Sequence, residues 1–216
     1  MLYIYCAGSY SAEIHDLVTR LGFVNNEIAY VDDYKSKLDE NSYKAEIFSF
    51  KKLLKLWEEE DQIIIGNGNP KIKYEIYNKL RENNIKPSTF IDKTSIVSSS
   101  AKYQEGLIVM PFCSISSFVE ISHNVTISYN SNIGHHTEIG NNSFISSMVN
   151  IGGGAKIGSQ VFIGMGAQIK EGISIGDNSI ISMGSVVHKD IPPGLIAMGY
   201  PARPFLKNDK NTIFKS

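Results

Sequence analysis

The stretch ISYNSNIGHHTEIGNNSFISS, residues 127–147, places an isoleucine at every sixth position. The same frame extends from Ile91 to Val187 without an insertion and comprises seventeen positions. Tyr103 is the only one of these positions that is not aliphatic. An amphipathic helix cannot keep a period of six over so long a span, and a meander would show turn signals at variable spacing. A fixed period indicates a solenoid.

Six residues is the repeat length of a parallel β-helix built from hexapeptides. Each hexapeptide supplies one short strand and one corner, and three of them complete a triangular coil of 18 residues. The aliphatic residue points inward, and so does the small or β-branched residue two positions before it, as at Cys113, Val125 and Ala155. Seventeen repeats therefore predict between five and six coils, with a height of roughly 27 Å.

The first part of the chain follows a different pattern, in which apolar runs alternate with segments of helical periodicity. Strands are predicted by LYIYCAG, EIAYVDD and DQIIIGNGN, and helices by SAEIHDLVTRLGF, SFKKLLKLWEEE and PKIKYEIYNKLRENN. This alternation is typical of a small parallel α/β domain of Rossmann-like type. We predict an α/β domain at residues 1–86, a β-helix at 87–190 and a C-terminal tail at 191–216 that contributes to the coenzyme site.

Composition narrows the function classes. The 216-residue chain is 42% hydrophobic and carries a formal net charge of −1, so no basic excess favours nucleic acid. No apolar stretch approaches the roughly 20 residues of a membrane-spanning helix, and the N-terminus lacks the features of a signal peptide. We expect a cytoplasmic protein without a membrane partner. Its two cysteines, Cys6 and Cys113, lie within apparent strands and are expected to be free thiols.

Two adjacent histidines occupy a corner of the predicted coil. Because residues 18 apart stack on each other, Gly153 and Gly154 lie directly above His135 and His136. Both histidines fall outside the inward positions, so they face solvent or a neighbouring chain. Glycines that clear the space beside an outward histidine suit a ligand lying against the backbone. The alternative is that the glycines serve the corner and the histidines are ordinary surface residues.

A zinc site is the competing use of histidine on such a coil, with His123, His188 and His15 as further possible ligands. Zinc held by three ligands needs side chains that converge at about 2.0–2.1 Å from the metal. In the stacking frame these histidines lie at different levels or corners, and His136 is expected to point away from His135. The sequence therefore does not favour a metal site.

Three loops of the α/β domain are expected to meet at the carboxyl edge of its sheet. The first contains Gly8 and Ser9, the second contains Asp32 and Asp33, and the third is IGNG at residues 65–68. In an open parallel sheet this edge is where ligands bind. A single glycine in the first loop does not match a dinucleotide fingerprint, so ordinary strand–helix turns are the alternative.

Together these segments resemble the bacterial sugar O- and N-acetyltransferases of the sialic-acid O-acetyltransferase type. The resemblance covers nearly the whole chain and rests on YIYCAGSYSAEI, YVDDYK, IIIGNGN, KTSIVSSSA, IVMPF, NIGHHTEIG and MGYPARP. The pattern is most similar to that of the N-acetyltransferases acting on nucleotide-linked 4-amino-4,6-dideoxy sugars, as in bacillosamine synthesis.

The resemblance implies a left-handed β-helix, a homotrimer, an acetyl-CoA groove between adjacent β-helices and a nucleotide sugar bound on the α/β domain. It implies that His135 is the general base, with His136 beside it in the catalytic site. The substrate residues that it implies are Gly8, Ser9, Tyr10, Asp32, Asp33 and Gly66, and the coenzyme residues are Phe144, Gly153, Met165 and Met183.

Three positions depart from the family pattern. His136 stands where an acidic partner of the base is usual, Ser9 replaces a loop glycine, and Tyr10 replaces a histidine. Glu138 and Glu120 are the alternative partners for His135.

We predict an N-acetyltransferase for surface glycan biosynthesis that uses acetyl-CoA and acts on the amine of a UDP- or dTDP-linked 4-amino-4,6-dideoxyhexose. The pattern does not distinguish these nucleotides from GDP. Neither cysteine lies beside His135 in the frame, so direct attack needs no acyl-cysteine intermediate. The alternatives are an O-acetyltransferase acting on a sialic acid or a surface polysaccharide, and a non-catalytic protein that binds nucleotide sugars.

Overall fold

The computed structural model describes residues 1–35, 43 and 45–208. The elements of its first part are β1 (Leu2–Tyr5), α1 (Ser9–Leu21), β2 (Ile28–Val31), β3 (Ile47–Phe48), α2 (Phe50–Leu56), β4 (Gln62–Ile65) and α3 (Pro70–Glu82). The four strands form one parallel sheet in the order β3-β2-β1-β4. Within the described ranges, no helix combines the length and the apolar character that crossing a membrane requires.

Every strand and helix predicted for this part is present, with two differences. The sequence analysis missed β3, because an edge strand of two residues is too short to show a period. Helix α2 ends at Leu56 instead of continuing through the three glutamates that follow, since negative charge at a helix C-terminus opposes the helix dipole. The carboxylate of Asp61 accepts a hydrogen bond from the N–H of Glu58 at 3.0 Å and closes a turn there.

Seventeen two-residue strands follow and build the coil. They are β5 (Phe90–Ile91), β6 (Ile96–Val97), β7 (Lys102–Tyr103), β8 (Ile108–Val109), β9 (Ser114–Ile115), β10 (Glu120–Ile121), β11 (Thr126–Ile127), β12 (Asn132–Ile133), β13 (Glu138–Ile139), β14 (Phe144–Ile145), β15 (Asn150–Ile151), β16 (Lys156–Ile157), β17 (Phe162–Ile163), β18 (Gln168–Ile169), β19 (Ser174–Ile175), β20 (Ile180–Ile181) and β21 (Val186–Val187). Each strand from β5 to β18 pairs in parallel with the strand 18 residues later, as Ile133 with Ile151. A hairpin of β22 (Leu195–Gly199) and β23 (Ala202–Lys207) extends the face that contains β20.

The two inward positions of each repeat are confirmed. From Val109 to Val187 every frame residue is buried, and so is every residue two positions before a frame residue from Leu107 onward. Tyr103 is exposed because it belongs to the first coil, which has no coil beneath it. The core of the coil is thus a stack of aliphatic layers that the six-residue frame alone specifies.

The corners of the coil share one backbone conformation. From Gly106 to Gly184, the residue three positions after each frame residue has a positive φ near 55–76°. Glycine and asparagine tolerate this left-handed conformation best, and they occupy most of these corners. The exceptions are Phe112, Phe118, His136, Met148 and Gln160.

Neither cysteine lies within a strand, contrary to the prediction. Cys6 follows β1 with a left-handed φ of 84°, and Cys113 is the buried residue that immediately precedes β9. Both are free thiols. Cys113 therefore packs as a small core residue, whereas Cys6 belongs to a loop.

The α/β domain packs against the coil face that contains β8, β11 and β14. The Nζ of Lys73 on α3 is fully buried there and donates to Asn124 (3.2 Å) and Thr126 (2.9 Å) of the coil. On the other side of the contact, Arg20 of α1 bonds the buried carboxylate of Asp92 at 2.8 Å. Hydrophobic residues of both parts also form one shared cluster. The junction is therefore extensive and positions the two parts relative to each other.

Candidate active site

His135 and His136 form the corner between β12 and β13. The N–H of His136 donates to the carbonyl of Ser117 on the coil below (3.0 Å), and the carbonyl of His135 accepts from the N–H of Gly154 on the coil above (2.7 Å). The stacked backbone thus fixes the corner from both sides. Both histidine side chains are exposed.

Gly153 allows the ring of His135 to lie directly against the backbone of the coil above. A β-carbon at Gly153 would lie within 2.7 to 3.0 Å of three ring atoms of His135, closer than side chains approach each other. The N–H of Gly153 bonds no other residue in the described part of the chain. The corner therefore joins an open imidazole to a free backbone donor.

His136 does not point away from His135, contrary to the prediction. The Nδ1 atoms of the two rings lie 3.1 Å apart, and the rings are nearly perpendicular, at 85°. On its other side, the ring of His136 lies 5.1 Å from the ring of Phe118, centroid to centroid. The outward position in the repeat did not reveal this contact, because it depends on the left-handed backbone of His136.

Of the two glutamates considered as partners of His135, neither bonds its ring, and Glu138 is engaged elsewhere on the coil. Glu138 and Glu120 are paired across β13 and β10, as the frame predicts. The carboxylate of Glu138 forms an ion pair with Lys156 at 3.1 Å. In the described structure, the hydrogen-bond partner of the His135 ring is therefore His136.

The second part of the site is a cavity of about 460 Å³ at the carboxyl edge of the α/β sheet. Among the predicted substrate residues, Gly8, Asp32 and Asp33 line it. Asn67 also lines it, from the predicted third loop at residues 65–68. The sequence analysis missed the remaining lining residues, which are Tyr5, Cys6, Tyr34, Lys35, Ile72, Glu75, Ile76 and Lys79. Four of these residues belong to α3 and recur at spacings of three and four residues, which places them on one helix face: Ile72, Glu75, Ile76 and Lys79. That spacing is the signal that could have identified this wall.

Asp32 holds two loops of the cavity together. Its carboxylate accepts hydrogen bonds from the N–H groups of Ala7 (2.9 Å), Tyr34 (2.9 Å) and Lys35 (3.0 Å). These bonds join the loop after β1 to the loop after β2. Asp32 therefore shapes the cavity through the protein's own backbone.

Asp33 is likewise bonded within the protein. It accepts from the N–H of Phe50 (2.8 Å) and from the Nζ of Lys79 (2.6 Å). Burial acts to raise the pKa of Asp33, but these two hydrogen bonds outweigh it and hold the pKa below its ordinary value. Lys79, whose Nζ also lies 4.3 Å from the ring of Phe50, thus stands beside an ionised carboxylate in the cavity wall.

The structure does not place Ser9, Tyr10 and Gly66 on the cavity wall. Ser9 is the exposed first residue of α1. A β-carbon at Gly66 would lie 2.9 Å from Ile4, so this glycine permits close packing behind the cavity. The Tyr10 hydroxyl is buried without a hydrogen-bond partner in the described chain, and burial raises the pKa of Tyr10 well above 10.

The predicted coenzyme residues fall on two different surfaces. Phe144 is buried at the domain junction, where it stacks on Phe162 at 5.6 Å and meets the edge of Tyr10 at 5.3 Å. Met165 and Met183 instead lie one above the other on an exposed corner, with side chains 49% and 74% exposed. The corner with the methionines is accessible to a ligand, whereas Phe144 faces the α/β domain.

The histidine corner and the cavity lie on opposite sides of the coil. The α/β domain covers the face of β8, β11 and β14, whereas His135 and His136 turn the chain from the face of β12 to the face of β13. In a triangular coil that corner is the one opposite the covered face. One chain therefore does not bring its own cavity to its own histidines.

No group of three or more His, Cys, Asp and Glu side chains that could hold a metal occurs among the described residues. His15 is buried and bonds Tyr30 (2.9 Å) and Asn25 (3.0 Å). His123 stacks on Tyr77 with the ring centroids 4.3 Å apart. These two histidines thus serve packing.

Two protein families match separate parts of the chain. Residues 1–80 match the PglD N-terminal domain, and residues 154–189 match the bacterial transferase hexapeptide (six repeats).

Solved structures share the fold over nearly the whole chain. The perosamine N-acetyltransferase of Caulobacter crescentus, a histidine-to-asparagine mutant in complex with CoA and GDP-perosamine, has a TM-score of 0.87 at 21% identity, covering 95% of this chain and 97% of that one. WeeI from Acinetobacter baumannii has a TM-score of 0.87 at 22% identity, covering 95% and 99%. The acetyltransferase domain of PglB from Neisseria gonorrhoeae, in complex with acetyl coenzyme A, has a TM-score of 0.86 at 23% identity, covering 94% and 98%.

The fold predicted from the sequence is therefore confirmed, and so is the resemblance, from which only the left hand of the coil was taken. The chain joins a PglD N-terminal domain to the hexapeptide repeats of bacterial transferases, in an α/β domain followed by a left-handed parallel β-helix.

Proposed function

We propose that this chain is an acetyl-CoA-dependent N-acetyltransferase acting on the amine of a nucleotide-linked 4-amino-4,6-dideoxyhexose. The observation that carries the proposal is the position of His135 beneath Gly153 at an exposed corner. This pair supplies a proton acceptor and a backbone N–H donor in one small space, as transfer of an acetyl group requires. UDP and dTDP are the proposed nucleotides, and the relative bound to GDP-perosamine makes GDP the third to test.

The proposed transfer is direct. The amine of the sugar attacks the thioester carbonyl of acetyl-CoA, so that a C–N bond forms and the C–S bond breaks. The Nε2 atom of His135 accepts the proton that the amine loses, and the departing CoA thiolate then takes up that proton. The N–H of Gly153 stabilises the negative charge on the carbonyl oxygen during the attack.

General principles indicate the size of each contribution. A positioned base contributes on the order of 10²–10⁴-fold, and one oxyanion donor contributes about 10²–10³-fold. Holding the amine next to the thioester contributes further, because the reaction becomes effectively unimolecular.

We further propose that the enzyme is a cytoplasmic homotrimer. The observation in favour is that the cavity of a chain lies opposite its own His135, so a neighbouring chain has to supply the nucleotide sugar. The exposed column of Met165 and Met183 would then line the acetyl-CoA groove between two adjacent coils.

The test is a free-thiol release assay with acetyl-CoA against UDP-, dTDP- and GDP-linked 4-amino and 3-amino dideoxy sugars. The wild-type chain is compared with His135→Asn and with Glu138→Gln, a matched control on the adjoining strand. We expect one sugar to give thiol release that His135→Asn weakens and Glu138→Gln leaves unchanged.

The other outcomes separate the alternatives. If no amino sugar reacts while acetyl-CoA still binds, the acceptor is a hydroxyl and the N-acetyl proposal is wrong. If acetyl-CoA does not bind at all, the chain is not a transferase and a nucleotide-sugar-binding protein is favoured.

A further inference from the structure

The contact between His135 and His136 has two possible proton arrangements. A hydrogen bond between the two Nδ1 atoms, 3.1 Å apart, needs a proton on one of them and a lone pair on the other. If His136 donates, the neutral ring of His135 carries its proton on Nε2 and cannot accept another. If His135 donates, its Nε2 is free to act as a base. The function of the corner therefore depends on which ring donates.

The ring of His136 is held in place independently of His135. Its backbone has a φ of 57°, its N–H bonds Ser117, and its ring lies against Phe118. The same position of the neighbouring coils is occupied by Phe118 below and Gly154 above, so the corner itself does not require histidine. The imidazole of His136, fixed by its backbone and by Phe118, presents its Nδ1 to the ring of His135.

No carboxylate competes for this contact. The carboxylates on the adjoining strands and in the same corner column are those of Glu120, Glu138 and Glu171. Glu138 pairs with Lys156, and Glu171 pairs with Lys170 at 4.0 Å. In the described chain, neither imidazole bonds a carboxylate. His136 can thus orient His135 without the negative charge that an acidic residue at this position would add.

We infer that His136 is a positioning residue that accepts the Nδ1–H of His135 and so keeps the Nε2 of His135 free of a proton. The inference rests on the proposed function, because only that function requires a base at Nε2. When His135 takes a proton from the amine, its positive charge is shared through the bond to His136. Two positive charges at this distance repel each other, so a proton gained by one ring opposes the gain of a proton by the other.

The first test needs no substrate. Nitrogen-15 NMR of the histidine rings, recorded on the full chain at a pH where both rings are neutral, reports which nitrogen of His135 carries the proton. We expect the Nδ1–H form in the wild type and a mixture of both forms in His136→Gly. A wild-type ring of His135 protonated at Nε2, or an unchanged ring in His136→Gly, would overturn the inference.

The second test uses thiol release and a matched pair of variants. Asparagine tolerates the left-handed backbone and offers an amide oxygen as acceptor, whereas glycine tolerates the backbone and offers none. We expect kcat to fall on the order of 10-fold or more in His136→Gly with KM nearly unchanged, and to recover most of the loss in His136→Asn. Equal losses in both variants would show that His136 only supports the fold.

A third variant separates orientation from charge. In His136→Glu the partner is negative, which favours the protonated form of His135, so the acidic limb of the kcat/KM pH profile should move to higher pH by about one unit. A profile identical to that of the wild type would contradict a direct bond to His135. If no sugar supports thiol release, the proposed function fails, whereas the NMR result still decides the role of His136.

Discussion

Gly153 lies directly over the ring of His135, so that a β-carbon at Gly153 would stand 2.7 Å from both Cε1 and Nε2 of His135. The missing side chain therefore lets the reacting edge of the imidazole lie directly against the backbone of the coil above. This relationship joins two neighbouring coils and makes the site sensitive to a single methyl group.

We expect Gly153→Ala to lower kcat/KM by about 100-fold, because the added carbon must displace the ring of His135 and a shift of about 1 Å in a catalytic group costs on that order. The φ of Gly153 lies outside the left-handed region, so alanine adds no backbone strain and the melting temperature should change little. The measurement is thiol release together with thermal melting. If Gly153→Ala keeps the wild-type kcat/KM, the close contact between Gly153 and the ring of His135 is not needed for activity.

The control for this substitution is Gly172→Asn, one coil higher on the same corner. A β-carbon at Gly172 would meet nothing within 4 Å, and asparagine tolerates its φ of +70°. We expect nearly wild-type activity from this variant. A comparable loss in both variants would indicate that the corner, and not the contact with His135, determines activity.

The separation of cavity and histidines predicts complementation between chains. Ile72→Trp fills the cavity from its α3 wall, and His135→Asn removes the base, so each variant alone should be inactive. In trimers assembled from an equal mixture of the two chains, about a quarter of the sites combine an intact cavity with an intact histidine from the neighbour. We expect the mixed protein to recover about a quarter of wild-type activity in the thiol-release assay.

Two results of that mixing experiment would contradict the proposed assembly. Recovery of no activity in confirmed mixed oligomers would indicate that each chain uses its own cavity and histidine. A monomeric wild-type protein in sedimentation would do the same.

Lys73 makes the domain junction dependent on pH. Burial lowers its pKa from 10.5 to about 7, and its Nζ bonds only the neutral groups of Asn124 and Thr126. Between pH 7 and about 10 the unfolded chain therefore holds a proton on Lys73 that the folded chain has lost. The free energy of unfolding should consequently rise with pH across this window, by up to about 1.4 kcal/mol per pH unit.

The measurement is urea unfolding of the wild type and of Lys73→Met at pH 7, 8 and 9, with exposed Lys71→Met as the matched control. We expect the rise in the wild type and in Lys71→Met to exceed that in Lys73→Met. Burial raises the pKa of Cys6 to about 11, so near pH 9 the unfolded chain begins to lose a thiol proton that the folded chain keeps. This opposing effect is common to all three proteins, so the comparison with Lys73→Met removes it. Parallel curves for all three proteins would show that Lys73 keeps its proton in the folded state.

The fold could be predicted from the sequence wherever the six-residue frame repeats. The contact between His136 and His135 could not, because it depends on a local backbone angle. The frame from Ile91 to Val187 specifies every inward side chain, because burial in a coil follows from position in the repeat alone. The same frame placed His136 outward, which is correct, but not against His135. The side chain of a left-handed residue leaves the backbone in another direction than that of an ordinary turn residue, and a period of six carries no information about that angle.

The positions of some site residues could be predicted from the sequence, but the contacts of these residues could not. Asp32 and Asp33 were expected at the cavity because the carboxyl ends of parallel strands meet at one edge. Their bonds to the protein's own N–H groups and to Lys79 could not be predicted, since these depend on how α2 and α3 approach that edge. The burial of Phe144 at the domain junction could not be predicted, because the period does not show which coil face the α/β domain covers.

Arg20 and Asp92 should determine how the junction responds to acid. Burial acts to raise the pKa of Asp92, but hydrogen bonds from Arg20 and Thr94 outweigh it and lower the pKa to about 2. The folded-state pKa lies below the ordinary value of about 3.9, so this carboxylate stabilises the fold above pH 4 and the contribution is lost as the pH falls toward 2. At neutral pH, Arg20→Met should lower the free energy of unfolding, because the buried carboxylate of Asp92 then loses its charged partner.

The measurement is urea unfolding of Arg20→Met, Asp92→Asn and the double variant at pH 7 and pH 3. If the pair acts as described, the two single substitutions are not additive at pH 7, since each already removes the same interaction. At pH 3 the difference between Arg20→Met and the wild type should shrink, because Asp92 is then largely protonated in the unfolded chain and the wild type must release that proton on folding to keep the bond. Additive losses that persist at pH 3 would show that the two residues stabilise the junction by packing alone.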